Sequence, residues 1–240
     1  MGTSLRGKVI VILGGSSGIG LATALAAQAE GAEVAITGRD ATRLIAARER
    51  LGGKVRIGEF DAAHEGPARE FFGSFTAIDH IFSTAGTLVL DTHLTPTRSA
   101  LRPAMGVRFW AALYAAKYGG AKIQPGGSYV FMSGTAARRP LAGAAVASAS
   151  CGAVESFARA LVLDLAPIRV NVIQPGYVDT PLFDSLLGAQ RDEILSAAGA
   201  KLPVQRIGKP EEIADAVLFL MRNGYMNGAT LTIDGGGLLV

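Results

Sequence analysis

Val9-Ile10-Val11-Ile12-Leu13 is followed at once by Gly14-Gly15-Ser16-Ser17-Gly18-Ile19-Gly20. No other stretch limits the possible folds so strongly. An apolar run that stops at glycine predicts a strand covered on both faces. The helix expected over 19–30 would turn its free N–H groups and the positive end of its dipole toward the bend. Side chains at 14, 18 or 20 would keep a phosphate from the backbone or keep the helix off the strand. Gly14, Ser16, Ser17, Gly18, Ile19 and Gly20 are therefore the candidate residues for holding a dinucleotide.

The same alternation runs through the chain. Short apolar runs predict strands over 9–13, 33–37, 55–59, 80–83, 128–132, 169–173 and 229–233. Amphipathic stretches predict helices near 19–30, 41–51, 65–74, 100–118, 147–166, 182–199 and 210–222. Strands apolar on both faces and separated by helices give an α/β, Rossmann-type, doubly wound sheet of seven parallel strands, with helices on both faces. Its crossovers are expected to be right-handed. With no linker, repeat or low-complexity tract, residues 1–240 read as one domain. The stretch 181–207 lacks a strand signal and suits either a lid over a substrate pocket or a surface helix pair.

Composition narrows the partners. The formal charge is +3 and the basic residues are scattered, apart from Arg138-Arg139, with no aromatic-and-basic stripe of the kind that binds nucleic acid. Cys151 is the single cysteine, and His64, His80 and His93 show no ligand spacing, so neither a disulfide nor a metal site is expected. No apolar run reaches membrane-spanning length, and the apolar start at 9–13 is too short for a signal peptide and lacks a cleavage pattern. The expectation is a cytoplasmic protein acting on a small molecule.

The second strand ends in Thr37-Gly38-Arg39-Asp40. In a dinucleotide fold this tip faces the adenosine ribose. An acidic residue there would bind a free 2′-hydroxyl, whereas Arg39 would pair with a 2′-phosphate, which favours NADP(H). The plainer alternative is a solvated Arg39 beside an Asp40 that caps the next helix. Asp61 is placed to accept from an adenine amino group or to cap the helix near 64. Small residues in Ser83-Thr84-Ala85-Gly86 would let a cofactor pass close to Ala85 and Gly86.

Taken together, the glycine phrase, Asp61, Ser83-Thr84-Ala85-Gly86, Ile168-Arg169-Val170-Asn171, Pro175-Gly176-Tyr177-Val178-Asp179-Thr180-Pro181 and Ile233-Asp234-Gly235-Gly236 resemble the short-chain dehydrogenase/reductase family over essentially the whole chain. The resemblance implies a bound nicotinamide dinucleotide and a homodimer or homotetramer. It implies that Pro175, Gly176, Val178 and Thr180 serve the nicotinamide end, and that the helix over 147–166 lies at a subunit interface. Leu13 departs from the family's usual Thr.

A larger departure concerns the chemistry. The family uses a Tyr that moves the substrate proton, a Lys four residues later, a Ser that holds the substrate oxygen and an Asn that supports a water relay. The matching positions here are Ala147, Cys151, Gly134 and Arg108. Carbonyl reduction builds negative charge on oxygen and needs a proton or a fixed positive group. Arg108 could supply the charge or bind an anionic substrate, or could sit in a structural ion pair. Ser133 is the nearest hydroxyl to the vacant serine position, and Tyr177 could point at substrate or form pocket wall. Arg138 and Arg139 could favour an acidic substrate or be solvated. Cys151 lacks an activating His and reads as packing. Two functions follow: an oxidoreductase with a rebuilt site, or a dinucleotide-binding protein without catalysis.

Overall fold

The computed structural model describes residues 4–88 and 98–240. One parallel sheet has the order β3-β2-β1-β4-β5-β6-β7. Its strands are β1 Val9–Leu13, β2 Glu33–Gly38, β3 Arg56–Glu59, β4 Ile78–Ser83, β5 Ile123–Met132, β6 Arg169–Pro175 and β7 Thr230–Ile233. The helices are α1 Gly18–Ala29, α2 Ala41–Arg50, α3 Glu65–Gly73, α4 Arg98–Tyr114, α5 Ala145–Asp164, α6 Pro181–Leu187, α7 Arg191–Lys201 and α8 Pro210–Arg222. The expected fold is the observed one.

Successive side chains of a strand face opposite ways, and β1 shows what this does to the core. Ile10 and Ile12 pack with residues of α1, α2 and α8, while Val11 and Leu13 pack with residues of α3, α4 and α5. Each buried aliphatic side chain contributes on the order of 1.5–3 kcal/mol, so both layers hold the sheet. Strand order reverses between β1 and β4, which opens a crevice at their carboxyl ends.

The Arg-Val-Asn phrase has a structural cause. Buried Arg169 donates to the carbonyls of Leu220 (2.8 Å), Met221 (2.7 Å) and Met226 (3.1 Å), closing the end of α8. Asn171 donates to Met226 and accepts from the Ala229 N–H, stapling the chain that leads into β7. His80 also belongs to the core. Its Nδ1 lies 2.9 Å from Ser128 Oγ, and burial pushes the imidazole pKa down to about 4, leaving it neutral.

Two expectations need correction. The helix expected over 182–199 is two helices, because Gly188 takes a left-handed conformation (φ +53°) and the chain turns before α7. Strand β5 begins at Ile123 rather than 128. Ile78 pairs with Ile123 but His80 pairs with Ser128, so the glycine-rich stretch between bulges out while pairing resumes beyond it. Among the described residues one helix, α5, reaches membrane-spanning length and apolarity by composition alone. Here it packs on β5, β6 and α4, with Ala147, Val154, Ala158 and Leu161 buried, as the core helix of an α/β layer.

Candidate functional site

At the end of β1 the chain turns through Gly14, whose φ of +87° suits glycine, and a Cβ there would meet Thr84 Oγ1 at 2.6 Å. At Gly20 a Cβ would stand 2.2 Å from the carbonyl oxygen of Gly14, so α1 can seat against the loop only without a side chain. Ser17 caps the amino end of α1 with no side-chain hydrogen bond, leaving the helix's first N–H groups for a ligand. Gly14, Ser16, Ser17, Gly18 and Ile19 form one wall of a cleft of about 270 Å³. The Thr37 hydroxyl, buried and without a partner, lines the same cleft. A cradle that Cβ atoms would fill, an uncapped helix end and an unpartnered hydroxyl fit the phosphates and ribose of a dinucleotide.

Beyond Thr37, β2 ends at Gly38, where a Cβ would meet Ser16 Oγ at 2.8 Å. Arg39 and Arg43 both line the cleft. Asp40 caps α2 by accepting the Arg43 N–H at 3.0 Å, and its second oxygen lies 3.6 Å from Arg43 Nε. The alternatives weighed for this tip therefore combine: Asp40 caps, and in doing so it sets Arg43 beside Arg39. Arg39 Nη1 is 3.9 Å from Asp61 Oδ2. The other Asp61 oxygen accepts the Ala63 N–H at 2.9 Å, so this residue closes a local turn, and His64 rather than Asp61 occupies the cap of α3.

The far end of the cleft is built by β4, β5 and the chain after β6. Thr84, Ala85, Gly86, Val107 and Met132 line it. Arg108 is not in an ion pair among the described residues. Its Nη1 donates to the carbonyls of Met132 (2.9 Å) and Ser133 (3.4 Å), and its Nε is buried without a partner. The guanidinium also packs on Gly86, where a Cβ would lie 2.9 Å from Nη2. Arg108 thus joins the carboxyl ends of β4 and β5 and holds a positive charge against the cleft lining.

Ser133 is turned elsewhere. Its buried hydroxyl donates to Glu155 Oε1 at 2.6 Å, and the same oxygen accepts from Gln174 Nε2 at 2.6 Å. Thr232 Oγ1 donates to Gln174 Oε1 at 2.8 Å, completing a chain of polar groups under the sheet end. This engagement, supplied by α5 and β6, corrects the expectation that the Ser133 hydroxyl faces substrate. Tyr177 is half-buried and stacks on Phe183 with ring centroids 6.0 Å apart, outside the cleft lining.

Ala147 and Cys151 are buried on α5, and a Cβ at Gly134 would meet Cys151 Sγ at 3.4 Å. Thr180, Pro181, Leu182 and Ser185 cover the cleft, whereas Val178 is core and pairs with Gly208. Pro175 and Gly176 do not line the cleft and instead carry the chain toward Thr180. Arg139 donates to the Gly237 carbonyl at 2.5 Å, tying its loop to the last turn of the chain. A loop near 87–98 is expected from the sequence to help shape the pocket, and it falls largely at 89–97, outside the described residues.

Sequence reasoning missed Thr37, Arg43, Ser185 and Glu155. Arg43 had a usable signal. It is the third residue after a capping Asp, and helical side chains lean back toward the amino end, here toward the strand tip.

Residues 14–237 match a family model described as enoyl-(acyl carrier protein) reductase. A short-chain dehydrogenase/reductase of Stachybotrys chlorohalonatus is 31% identical, over 98% of this chain and 99% of its own. The structure of MalC reductase/Diels-Alderase from Malbranchea aurantiaca superposes with a TM-score of 0.91 at 32% identity, covering 98% of each chain. A small-chain dehydrogenase solved in complex with NADPH superposes with a TM-score of 0.84 at 30% identity, covering 98% of this chain and 100% of that one.

Proposed function

Because the chain belongs to the short-chain dehydrogenase/reductase family, we propose that it is an NADP(H)-dependent oxidoreductase working on a small carbonyl, hydroxyl or activated-alkene compound through a rebuilt active site. It binds NADP(H): the solved relative holding NADPH and the paired arginines at the β2 tip agree on the phosphorylated cofactor. Gly14, Ser16, Ser17 and the start of α1 hold its phosphates, and Thr37 stands beside the ribose. Arg39 and Arg43 receive the 2′-phosphate, and Asp61 faces the adenine. The cofactor supplies the hydride; the protein must orient the acceptor and manage the charge that develops on it.

The observation that carries the reading is Arg108. The usual proton-handling positions are Gly134, Ala147 and Cys151, none of which carries a donor like tyrosine or a fixed charge. Arg108 is a permanent cation anchored through one nitrogen to the ends of β5 and pressed on Gly86 beside the cleft. A guanidinium so placed polarises a substrate oxygen or binds a substrate carboxylate. Ser133 supports it indirectly, because its carbonyl is one of the two that anchor Nη1. Tyr177 and Phe183 form a stacked aromatic pair outside the cleft lining. A second copy of the chain is proposed to cover the exposed Met105 and Trp110 of α4.

The test is NADPH consumption against a panel of small ketones, aldehydes and activated alkenes, with wild type and Arg108→Met. Loss of transition-state charge stabilisation predicts a fall in kcat of about 10²-fold or more with cofactor affinity retained. Equal turnover by the variant removes Arg108 from the chemistry. The same vacant positions favour the second reading, a dinucleotide-binding protein without catalysis. That reading prevails if NADPH binds and no panel compound oxidises it.

A further inference from the structure

We propose that Arg191 is a positioning residue, an electrostatic latch that fixes α6 over the cofactor cleft and thereby sets how tightly the nicotinamide half of NADP(H) is held. The proposal needs only cofactor binding and is independent of the catalytic reading above.

Little else holds α6. This seven-residue helix buries no residue in the core. Its dense contacts are with the turn and helix that follow it rather than with the sheet. Yet Pro181, Leu182 and Ser185 of α6 form the outer wall of the cleft, and Thr180 just before it faces the glycine loop, with Cγ2 lying 3.2 Å from where a Cβ of Gly18 would be.

The excursion that carries α6 and α7 is closed at its base. The Gly208 N–H donates to the Tyr177 carbonyl at 2.8 Å, and the Asp179 N–H donates to the Gly208 carbonyl at 2.9 Å. Within it, Gly188 (φ +53°) and Gln205 (φ +57°) break the chain direction, and Gln205 is the sole non-glycine at positive φ among the described residues.

Arg191, the first residue of α7, is the cross-link. Its Nη2 pairs with Asp179 at the base, and its Nε lies 2.6 Å from Asp184 Oδ1 in the middle of α6, an ion pair by proximity in which Nε makes no aligned hydrogen bond. Its Nη1 lies 2.6 Å from Asp192 Oδ1. The arginine side chain is 25% exposed, while Asp179 and Asp184 are 55% and 59% exposed. One cation, more sheltered than its partners, therefore ties the hinge, α6 and α7 together. Removing it leaves three carboxylates in mutual repulsion and frees α6 to swing from the cleft.

Calorimetric titration with NADPH and with adenosine 2′,5′-bisphosphate separates this latch from general damage. The bisphosphate occupies the Arg39–Arg43 end. That end is built at the β2 tip, four strands from β6 in the sheet, and although Leu182 and Ser185 line the same cleft the bisphosphate carries no nicotinamide half for α6 to hold. Exposed ion pairs contribute little each but add in a network, so Arg191→Met should weaken NADPH about fivefold and the bisphosphate less than about twofold. Raising NaCl from about 0.05 to about 0.5 M should narrow the gap between wild type and variant, since the network is screened. Arg191→Lys should recover part of the NADPH affinity, since it keeps the charge and loses the fork.

Asp184→Asn, which removes one exposed arm, should reproduce the ligand asymmetry at about twofold and serves if the arginine variant does not fold. Unchanged NADPH affinity in Arg191→Met overturns the latch. So does an equal loss for both ligands, or, in the asparagine variant, no asymmetry between them.

Discussion

Replacing both Arg39 and Arg43 by alanine should convert a strong preference for NADPH into near indifference. The magnitude can be worked from the geometry. A charge-assisted bond to a sheltered phosphate contributes about 1.5–3 kcal/mol. Here the Arg39 and Arg43 side chains are 62% and 61% exposed, and each already has a carboxylate nearby, at 3.9 Å and 3.6 Å. Solvent screening brings each contact to about 1 kcal/mol. Either single variant should then weaken NADPH about fivefold and the double variant about 30-fold, at 1.36 kcal/mol per tenfold. NADH, which has no 2′-phosphate, should change less than about twofold. Calorimetry at one fixed, low ionic strength reads the affinities of wild type, both single variants and the double variant for each cofactor, because screening shrinks these differences as salt rises. Equal losses for the two cofactors in the double variant would refute the clamp, and so would wild-type NADPH affinity.

Two further predictions follow from buried positions. Ala147→Tyr with Cys151→Lys and Gly134→Ser would place the family's usual groups at the positions the resemblance assigns to them, and the space at Gly134 accepts a Cβ at 3.4 Å from Cys151 Sγ. Reduction of simple ketones, followed by NADPH consumption, should rise about 10²-fold, the usual worth of acid–base help; no gain would mean that the pocket has diverged beyond those positions. His80 makes stability depend on pH. Its folded pKa of about 4 lies below the unfolded 6.5, so the unfolded chain binds the extra proton between those values and stability falls as pH drops through that window. The loss is at most about 3 kcal/mol by pH 4. Urea unfolding midpoints should decline less steeply from pH 7 to 4.5 in His80→Asn than in wild type. Parallel declines would exclude His80 as the cause.

How much of this was legible in the sequence depended on how local each constraint is. Gly14 and Gly20 could be read directly because their backbone geometry and close approach exclude a side chain whatever surrounds them. Arg39 could be placed because a strand tip has one position in this fold. The positions that misled depend on contacts between distant elements. Ser133 sits beside the cleft in sequence, yet its hydroxyl follows Glu155 on α5 and Gln174 on β6, a pairing that no spacing rule reports. The polar stretch 124–127 reads as a turn because the strand bulges there, and pairing with β4 recovers only at Ser128. The break between α6 and α7 turns on the single conformation of Gly188. Arg191 carries no signal in the sequence, because Asp179 and Asp184 come beside it only when α6 and α7 fold back on the end of β6.

The central claim, proposed above, is that a cradle built for NADP(H) still serves hydride chemistry although the resemblance assigns the family's tyrosine and lysine positions to Ala147 and Cys151. Deuterium transfer tests it most directly. The protein is loaded with NADPH carrying deuterium at both nicotinamide C4 positions, incubated with the compound panel, and the products are weighed by mass spectrometry. The account predicts a product carrying one deuterium from the cofactor, formed by wild type and strongly slowed in Arg108→Met. Stoichiometric cofactor binding with no deuterium in any product would contradict it.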